Sequence, residues 1–512
     1  MSLIIVFAFV CVSFLLALII KIFLKLWWSP IRLQKLMAQR GIKGPSYRFI
    51  HGTTKEVLSM RSEANAKPIV GLSHDIFPKL LPHTYCWTKL YGKNYLQWFG
   101  PEAQVVITEP ELAKEILNDK EKVYPKAKGQ DIIRKILGDG LVLSEGEKWA
   151  KIRKLANHAF HAESLKNMTP AMIESVESML ERWKTHEGKE IDVFEEFRLL
   201  TSEVISKTAF GRGYLEGKTT FEMMEKLTLL ASRNMLKQRF PGFSKIFKTK
   251  DQIESEKLEK GIRNSIIEMI KKREEKIRNG DEDDFGSDFL GLLVKACHVA
   301  NENQRISVED VVDECKTLYF AGQETTNTLL AWTVFLLATN MDWQEEARKE
   351  VINLFGKQVP KPDSLAKLKT MSLIINESLR LYPPILALTR RTEKEVRLGN
   401  LNLPAEVFVF IPTLAVHHDP QIWGEDVHLF KPERFSEGVA KATKNNIAAF
   451  LPFGLGPRNC VGFNFALNEA KIALAMILQR YTFTLSPAYV HSPVQVLTNR
   501  PQFGVQVRLH SV

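Results

Sequence analysis

The chain opens with a long apolar run. Residues 3–20 (LIIVFAFVCVSFLLALII) contain one serine and no charge, and residues 22–24 extend the run. A helix that crosses a bilayer needs about 20 consecutive apolar residues. Trp27 and Trp28 follow at a position where interfacial aromatic residues are enriched. The pattern predicts one transmembrane helix, and we assign residues 1–28 to a membrane anchor.

A basic segment follows the apolar run. Its positive residues are Lys21, Lys25, Arg32, Lys35, Arg40 and Lys43. Lysine and arginine are enriched on the cytosolic flank of a spanning helix, so we expect the rest of the chain in the cytosol. Residues 29–44 are interpreted as a basic hinge that ends at the Gly44-Pro45 pair. A cleaved signal peptide is the weaker alternative, because no basic residue precedes the run and no small-x-small cleavage site follows it.

Helical periodicity dominates the remainder of the chain. One helix is predicted to start at the capping box Ser307-Val-Glu-Asp310 and to run to about Thr339. Its second half is apolar on nearly all sides, which is typical of a helix that crosses the centre of a large protein. Short β-type runs occur at YLQWFG, AQVVIT, VFVFIP and FGVQVRL. The expected fold class is mainly α with small β-sheets.

Charge and cysteine content narrow the class of protein. The net charge of +11 favours an anionic partner, such as a membrane surface or an acidic protein. Nucleic acid is not expected, because basic residues are interspersed with acidic ones, as in KKREEKIRNGDEDD. The cysteines are Cys11, Cys86, Cys297, Cys315 and Cys460. Their odd number and wide spacing argue against disulfides or a zinc site and suit a reducing compartment.

Cys460 has unusual neighbours. It lies in PFGLGPRNCVGF, directly before the apolar-periodic run FALNEAKIALAMILQRY. Phe453, Gly456, Arg458, Cys460 and Gly462 form the pattern F-x-x-G-x-R-x-C-x-G. With these residues the chain resembles the cytochrome P-450 superfamily, whose haem-binding loop has this pattern. A buried structural cysteine is the alternative that we weigh against it.

The resemblance implies a role for each residue of this loop. Cys460 would be the axial thiolate ligand of haem iron, and a helix N-terminus after it would lower the pKa of its thiol. Arg458 would pair with a haem propionate, and Phe453 would cover the sulfur. Gly456 and Gly462 would let the backbone approach the macrocycle and the neighbouring helix.

Two further segments resemble haem-contacting segments of the family. Trp149 and Arg153 have W-x-x-x-R spacing, which places both side chains on one helix face. The resemblance implies that this face meets the propionates, whereas the pair alone would be read as a surface pair. Arg390 or Arg391 is expected to add a propionate contact, and the sequence does not choose between them.

The segment AGQETT at 321–326 interrupts the apolar half of the long helix. It resembles the oxygen-activating motif of the family. The resemblance implies that Thr325 hydrogen-bonds dioxygen, that Glu324 helps to relay protons and that Gly322 allows local widening of the helix. The alternative for a helical threonine is a hydrogen bond to the carbonyl one turn earlier, and we expect that of Thr326 rather than Thr325.

A structural network is also expected. Glu377 and Arg380 match the E-x-x-R motif, and Arg434 lies in the later PERF segment. The resemblance implies that Arg434 joins the pair in a buried network with a structural role. His417 and His418 have no second ligand cluster nearby in sequence, so we interpret them as structural loop residues.

These motifs must converge on one haem, so we predict a single haem-thiolate domain over residues 45–512 with the cytochrome P-450 fold. The segments GIKGPSYRFIHGTTKE, YGKNYLQWFGP and AFLPFGLGPRNCVGFNFALNEAK resemble the plant clan that includes secologanin synthase and hormone-inactivating hydroxylases. The resemblance implies terpenoids or terpenoid-derived hormones as substrates, with cytokinin-type compounds as an extension. Ala321, Thr325, Ile385 and Leu386 are the expected pocket residues.

The first functional hypothesis is a monooxygenase of the endoplasmic reticulum membrane that uses haem and dioxygen. Electrons would come from NADPH through a separate flavoprotein reductase, because no G-x-G-x-x-G fingerprint follows a strand. The second hypothesis is a hydroperoxide isomerase or dehydratase, whose relatives tend to lose the Glu-Thr pair that this chain keeps. The third is a non-enzymatic haem-binding protein, which would need no oxygen-activating motif.

Overall fold

Helices form most of the computed structural model, which describes residues 2–127, 131–211, 214–235, 248–280, 284–302 and 304–512. In the first half of the chain the α-helices are Ser2–Phe23, Ser29–Gln39, Thr54–Asn65, Phe77–Leu80, Pro82–Tyr91, Pro110–Leu117, Asp131–Leu137, Gly146–Ala159, Ala162–Trp183, Val193–Phe210 and Tyr214–Asn234. In the second half they are Lys250–Arg278, Phe289–Cys297, Val308–Thr339, Met341–Phe355, Lys369–Leu381, Thr413–His417, Pro420–Trp423, Val439–Ala442 and Phe463–Arg480. The predicted helical fold class is confirmed.

The strands are short and form small sheets. They are β1 (Asn94–Phe99), β2 (Glu102–Ile107), β3 (Glu190–Asp192), β4 (Leu388–Arg391), β5 (Val396–Leu398), β6 (Leu401–Leu403), β7 (Phe408–Ile411), β8 (Tyr481–Leu485), β9 (Pro493–Val496), β10 (Thr498–Pro501) and β11 (Gln506–Ser511). The orders are β1-β2-β7-β4 and β3-β11-β8, with two hairpins, β5-β6 and β9-β10. The four β-type runs of the sequence contain β7 and most of β1, β2 and β11, so these predictions are confirmed.

The long helix Val308–Thr339, hereafter the central helix, has the predicted bounds. The Ser307 hydroxyl accepts a hydrogen bond from the Asp310 N–H at 3.1 Å, and the Asp310 carboxylate accepts one from the Ser307 N–H at 2.8 Å. This reciprocal cap satisfies donors that a helix start leaves free. Trp332 and Phe335 of this helix are fully buried in the main hydrophobic core. The central helix therefore fixes the positions of the elements that pack around it.

The N-terminal run is helical and exposed. Helix Ser2–Phe23 continues through a π-helical turn, Leu24–Trp28, into Ser29–Gln39. In the helical run over residues 3–39, no residue of the most apolar stretch is buried. The run is long and apolar enough to cross a membrane. This supports a single-pass anchor.

The segment expected to be a hinge, 29–44, is helical through Gln39 and contacts the globular part. The backbone N–H of Tyr47 donates to Gln34 Oε1 at 2.6 Å, and the Tyr47 hydroxyl donates to the Leu26 carbonyl at 2.5 Å. Arg40 forms an ion pair with Glu395 at 2.7 Å. The sequence analysis missed this docking, because it depends on partners that lie far along the chain.

Candidate active site

An apolar cavity of about 430 Å³ lies between the central helix and the Cys460 loop. Ala321 and Thr325 of the central helix line it, as does Ile385 from the segment before β4. These three expected pocket residues are thus placed at the cavity. Leu386, the fourth, is 1% exposed and packs in the main hydrophobic core instead, since successive residues of an extended segment point in opposite directions.

The Cys460 loop presents its sulfur to this cavity. The Cys460 N–H donates to the Phe453 carbonyl at 2.9 Å, and helix Phe463–Arg480 begins just after the loop, as predicted. Cys460 lines the cavity, and its accessible surface is exposed into that open space. Burial raises the pKa of the Cys460 thiol, whereas a hydrogen bond from the Gly462 N–H and the positive charge of Arg153 lower it. The pKa of the Cys460 thiol is raised on balance, in contrast to the lowering that the sequence led us to expect, because burial outweighs these two contacts. Iron would displace the thiol proton on binding, as metal ligation by cysteine requires.

The glycines of the loop have different roles. Gly456 has φ +73°, and a Cβ there would lie 2.2 Å from the Leu117 carbonyl oxygen. Glycine is required because the loop packs on the end of helix Pro110–Leu117, a neighbouring helix. Gly462 lies beside the sulfur, since a Cβ added at Gly462 would be 4.0 Å from Cys460 Sγ. Phe453 lines the cavity and contacts Phe463 edge-on, with ring centroids 4.7 Å apart.

Arg458 belongs to a group of cations at one side of the cavity. Its guanidinium lies 4.1 Å from the centroid of the Trp149 ring, and its Nη1 donates to the Ser144 carbonyl at 2.8 Å. Burial and the charges of Arg390 and Arg458 lower the pKa of Lys126 to about 7. Lys126 lines the cavity, yet no motif in the sequence marks it.

The structure distinguishes the two arginines that the sequence left open. Arg390 is 4% exposed, and burial with the nearby Arg458 charge lowers its pKa to about 10. Arg391 is paired with Glu406 and lies over the Phe408 ring. Adjacent residues of a strand point to opposite faces, so only Arg390 joins the cation group.

Arg153 lies between the cation group and the sulfur. Its Nη1 and Nη2 donate to the backbone and side-chain oxygens of Asn459 at 2.6 and 2.8 Å. Trp149 and Arg153 both line the cavity, as expected from their spacing on one helix face. The W-x-x-x-R segment and the cysteine loop are therefore brought together.

The residues present fit haem. Glu145 is an acidic group near all three cations of the group, Lys126, Arg390 and Arg458. Positive charge is therefore in excess at this side of the cavity. Buried charges are costly without counter-charges, and the propionates of haem would provide them. The apolar walls suit the macrocycle, and the thiol of Cys460 suits the iron.

The hydroxyl of Thr325 faces the cavity while it bonds within the helix. It donates to the Ala321 carbonyl at 2.7 Å. We expected this back-bonding at Thr326, so that expectation was wrong. Thr326 also lines the cavity but is only 2% exposed. The hydroxyl of Thr325 can exchange this local bond for one to a ligand, because a hydroxyl rotates about its C–O bond.

Glu324 was expected beside Thr325 as a proton-relay residue at the cavity. The structure places it elsewhere, because Glu324 does not line the cavity. Its carboxylate accepts hydrogen bonds from Arg500 Nε at 2.5 Å and Nη2 at 2.6 Å. Arg500 also donates to Glu225 of helix Tyr214–Asn234 at 2.7 Å. Burial raises the pKa of Glu324, and the Arg500 charge opposes this. Thr498 of β10 donates to the same carboxylate, so Glu324 is held at the β9-β10 hairpin.

Gly322 allows close helix packing. A Cβ at this position would lie 2.3 Å from Ile205 Cδ1 of helix Val193–Phe210. The central helix has no widened turn at this point, in contrast to the widening that the sequence suggested. Gly322 therefore brings the two helices together beside the cavity.

Glu314 is a polar residue of the cavity wall that the sequence analysis missed. It is 1% exposed and accepts a hydrogen bond from the Leu141 N–H. Burial raises the pKa of its carboxyl to about 8. Its spacing from Thr325, about three helical turns, was a signal in the sequence that both side chains share one face.

Replacement of Glu314 by glutamine is expected to remove a pH dependence of stability. Because its folded-state pKa of about 8 lies above the unfolded value, the wild-type carboxyl stabilises the fold most at acidic pH. This contribution is lost as pH rises to about 8. The thermal midpoint of Glu314→Gln should therefore increase relative to that of the wild type as pH rises over that range. Calorimetry of the haem-loaded protein measures it. Glu309→Gln is the control without such a gain, since Arg263 lowers the pKa of Glu309; a pH-independent difference for Glu314→Gln would contradict the assignment.

The E-x-x-R residues form the expected buried network. Arg380 Nε and Nη2 donate to the two carboxylate oxygens of Glu377 at 2.7 Å each, and both residues are 0% exposed. Arg434 Nε lies 3.4 Å from Glu377 Oε1. Arg380 Nη1 donates to the His417 carbonyl at 3.0 Å, while His417 Nε2 accepts from the Leu451 N–H at 2.8 Å. The network ties helix Lys369–Leu381 to the segment that leads into the cysteine loop.

A cysteine sulfur, a threonine-bearing central helix and a cation group around one apolar cavity define a haem-thiolate protein. The chain belongs to the cytochrome P-450 family, whose model, "Cytochrome P-450", matches residues 64–506. It is similar to Cytochrome P-450 CYP749A22 of Panax ginseng, with 60% identity over 97% of this chain and 95% of that protein. It is 40% identical to Cytochrome P-450 734A1 of Arabidopsis thaliana over 94% of this chain and 92% of that protein.

A relative with a named activity is also similar. The 7-deoxyloganic acid hydroxylase of Catharanthus roseus is 40% identical over 95% of both chains. The family and these relatives show that the chain is a cytochrome P-450 monooxygenase. Its cofactor is haem, its co-substrate is dioxygen, and its electrons are supplied by a reductase.

Proposed function

We propose that this chain is a membrane-anchored monooxygenase that hydroxylates or oxidises an apolar terpenoid or a terpenoid-derived hormone. The observation that carries the proposal is that Cys460 and Thr325 line one mostly apolar cavity. A relative named as a hydroxylase of 7-deoxyloganic acid supports a small organic substrate. Among the cavity-lining side chains, Glu314 is the acidic group. Its carboxyl can accept a hydrogen bond from a substrate hydroxyl and, when protonated, can donate one.

The haem residues divide into two groups by chemistry. Cys460 would provide the thiolate that holds the iron, and Gly462 and Arg153 would stabilise its negative charge. The cation group of Arg390, Arg458 and Lys126, together with Trp149, would hold the propionates. When bound, haem supplies activation of dioxygen, and a thiolate ligand favours O–O cleavage. The protein holds the group and excludes water from the apolar walls.

Thr325 is the proposed proton-transfer residue at the cavity surface. Thr325 follows Glu324 in sequence. The Glu324 carboxylate, however, accepts hydrogen bonds from Arg500 and lies away from the cavity. Arg500 and Thr498 thus position the Glu324 carboxylate away from the cavity, and Thr325 is the residue of this pair that would hold or move a proton at the cavity surface.

The proposed redox partner is an NADPH-dependent flavoprotein reductase, and the proposed location is the endoplasmic reticulum membrane. The net charge of +11 favours association with an acidic surface of such a partner. Lys154 is exposed on helix Gly146–Ala159, which also carries Trp149 and Arg153. A reductase that docks on this face would approach the Cys460 side of the cavity, where the electron must arrive.

The variant Thr325→Ala tests the proposed function. We expect product formation from a terpenoid panel, with reductase and NADPH, to fall by about 100-fold or more, since general acid–base groups contribute about 10²- to 10⁴-fold. NADPH consumption should continue, with peroxide released instead of product. Thr333→Val is the matched control, because Thr333 makes the same back-bond, to Leu329 at 2.8 Å, but lies outside the cavity lining.

The same assay separates the rival chemistry. Oxygen uptake and NADPH oxidation that depend on the terpenoid support a monooxygenase. Turnover of a fatty-acid hydroperoxide without reductase or oxygen, unaffected by Thr325→Ala, would contradict the proposal and favour the isomerase or dehydratase reading.

A further inference from the structure

A second cluster of polar side chains lies outside the cavity. Asp75 precedes helix Phe77–Leu80, while His418 and His428 follow helix Thr413–His417. One ligand-type atom of each residue lies within 4.8 Å of those of the other two. The sequence analysis gave His418 a structural role because no ligands are near in sequence. The fold supplies them from a distant segment.

His418 has the environment of a metal ligand. It is 4% exposed, and its Nε2 lies 2.9 Å from the Leu381 carbonyl oxygen. A carbonyl only accepts, so Nε2 carries the proton and Nδ1 has a free lone pair. Nδ1 is buried without a hydrogen-bond partner. Metal-bound histidines commonly donate their other N–H to a carbonyl, which fixes the ring in this way.

His428 and Asp75 complete the cluster. His428 Nε2 lies 3.8 Å from Asp75 Oδ1, and its Nδ1 is buried and has no hydrogen-bond partner. The rings of His418 and His428 have centroids 5.4 Å apart. The side chains of His428 and Asp75 are 36% and 37% exposed, so neither is fully enclosed by packing. On binding an ion, the ligand atoms would have to close from within 4.8 Å of one another to about 3.3 Å, the separation set by tetrahedral zinc.

We propose that Asp75, His418 and His428 bind a divalent ion of the zinc class. Two imidazoles and one carboxylate are a donor set for this class, with a fourth position left for water. Arg380 is the nearby positive charge that opposes a cation, but its charge is neutralised by the bidentate contact with Glu377. The proposal does not depend on the proposed substrate or reaction.

The ion would join two parts of the chain that are distant in sequence. Asp75 belongs to the segment before helix Phe77–Leu80, and His428 lies between Asp426 and Arg434. Asp426 and Arg434 form an ion pair at 2.7 Å, and Arg434 reaches Glu377. A metal bridge would therefore stabilise the segment that carries part of the E-x-x-R network.

The test uses the full, haem-loaded chain in detergent, dialysed against a chelator and titrated with zinc chloride. We expect one zinc per chain by elemental analysis and a rise in thermal midpoint as zinc binds. His428→Asn and Asp75→Asn should each weaken binding about 100-fold, since loss of even an outer partner costs about 10- to 100-fold. These partly exposed positions are chosen because a change at His418 risks the fold.

His161→Asn is the control. His158 and His161 stack at the protein surface with ring centroids 5.3 Å apart, and this exposed histidine pair controls for adventitious zinc binding. Zinc binding that survives in His428→Asn and Asp75→Asn, or is lost in His161→Asn instead, would overturn the proposal. X-ray absorption at the zinc edge should show nitrogen and oxygen ligands; sulfur in the shell would assign the zinc to a cysteine and also overturn it.

Discussion

Replacement of Glu377 by alanine is expected to destabilise the fold by about 3–5 kcal/mol, because it leaves a buried guanidinium without its anion. Arg380 is 0% exposed and gives two hydrogen bonds to Glu377. A domain is stable by only about 5–15 kcal/mol, so the loss is a large fraction of the total. The measurement is the yield of haem-loaded protein and its rate of thermal inactivation, since unfolding of a membrane-anchored chain is expected to be irreversible.

The exposed pair Glu346–Lys349 provides the matched control. It has the same i,i+3 spacing and a distance of 3.0 Å, but its side chains are 60% and 57% exposed. Glu346→Ala should change stability by less than about 1 kcal/mol. The double variant Glu377→Leu with Arg380→Met should recover part of the loss, since it removes both buried charges. A Glu377→Ala protein as stable as Glu346→Ala would show that the network does not hold the fold.

Replacement of Cys460 by alanine is expected to abolish oxygen-dependent turnover. The sulfur is the donor that the Gly462 N–H and Arg153 stabilise, and alanine offers no ligand to iron. Product formation should fall to the level of the reductase alone, measured with wild-type and variant proteins at equal haem content.

Cys297→Ala is the control for this prediction. Cys297 is half-buried and, unlike Cys460, does not line the cavity, so it cannot serve as the haem ligand there. Its replacement should leave turnover unchanged. A Cys460→Ala protein that retains substrate oxidation would disprove the role of this sulfur.

Local patterns in the sequence were enough to place the elements that carry chemistry. The Ser307 cap predicted the start of the central helix, and the five spaced residues around Cys460 marked the loop that lines the cavity. The E-x-x-R spacing predicted the Glu377–Arg380 pair, because i,i+3 neighbours meet on a helix. In these cases the partners are close in the chain or the motif fixes their types.

Contacts between distant segments were not predictable. Glu324 is next to Thr325 in sequence, but its direction is set by Arg500, which lies on β10. Lys126 joins the cation group from a loop without a motif. Gly456 is required by the Leu117 carbonyl and not by the cavity. Each outcome depends on tertiary packing, which the sequence of a single chain does not reveal.

The absorption spectrum of the reduced, CO-bound protein is the most direct test of the central claim. The purified full chain should show the strongly red-shifted Soret band of thiolate-ligated haem, and Cys460→Ala should lose it. A protein that binds no haem, or one with a histidine-type band that Cys460→Ala leaves unchanged, would contradict the assignment of the cavity and of every catalytic residue around it.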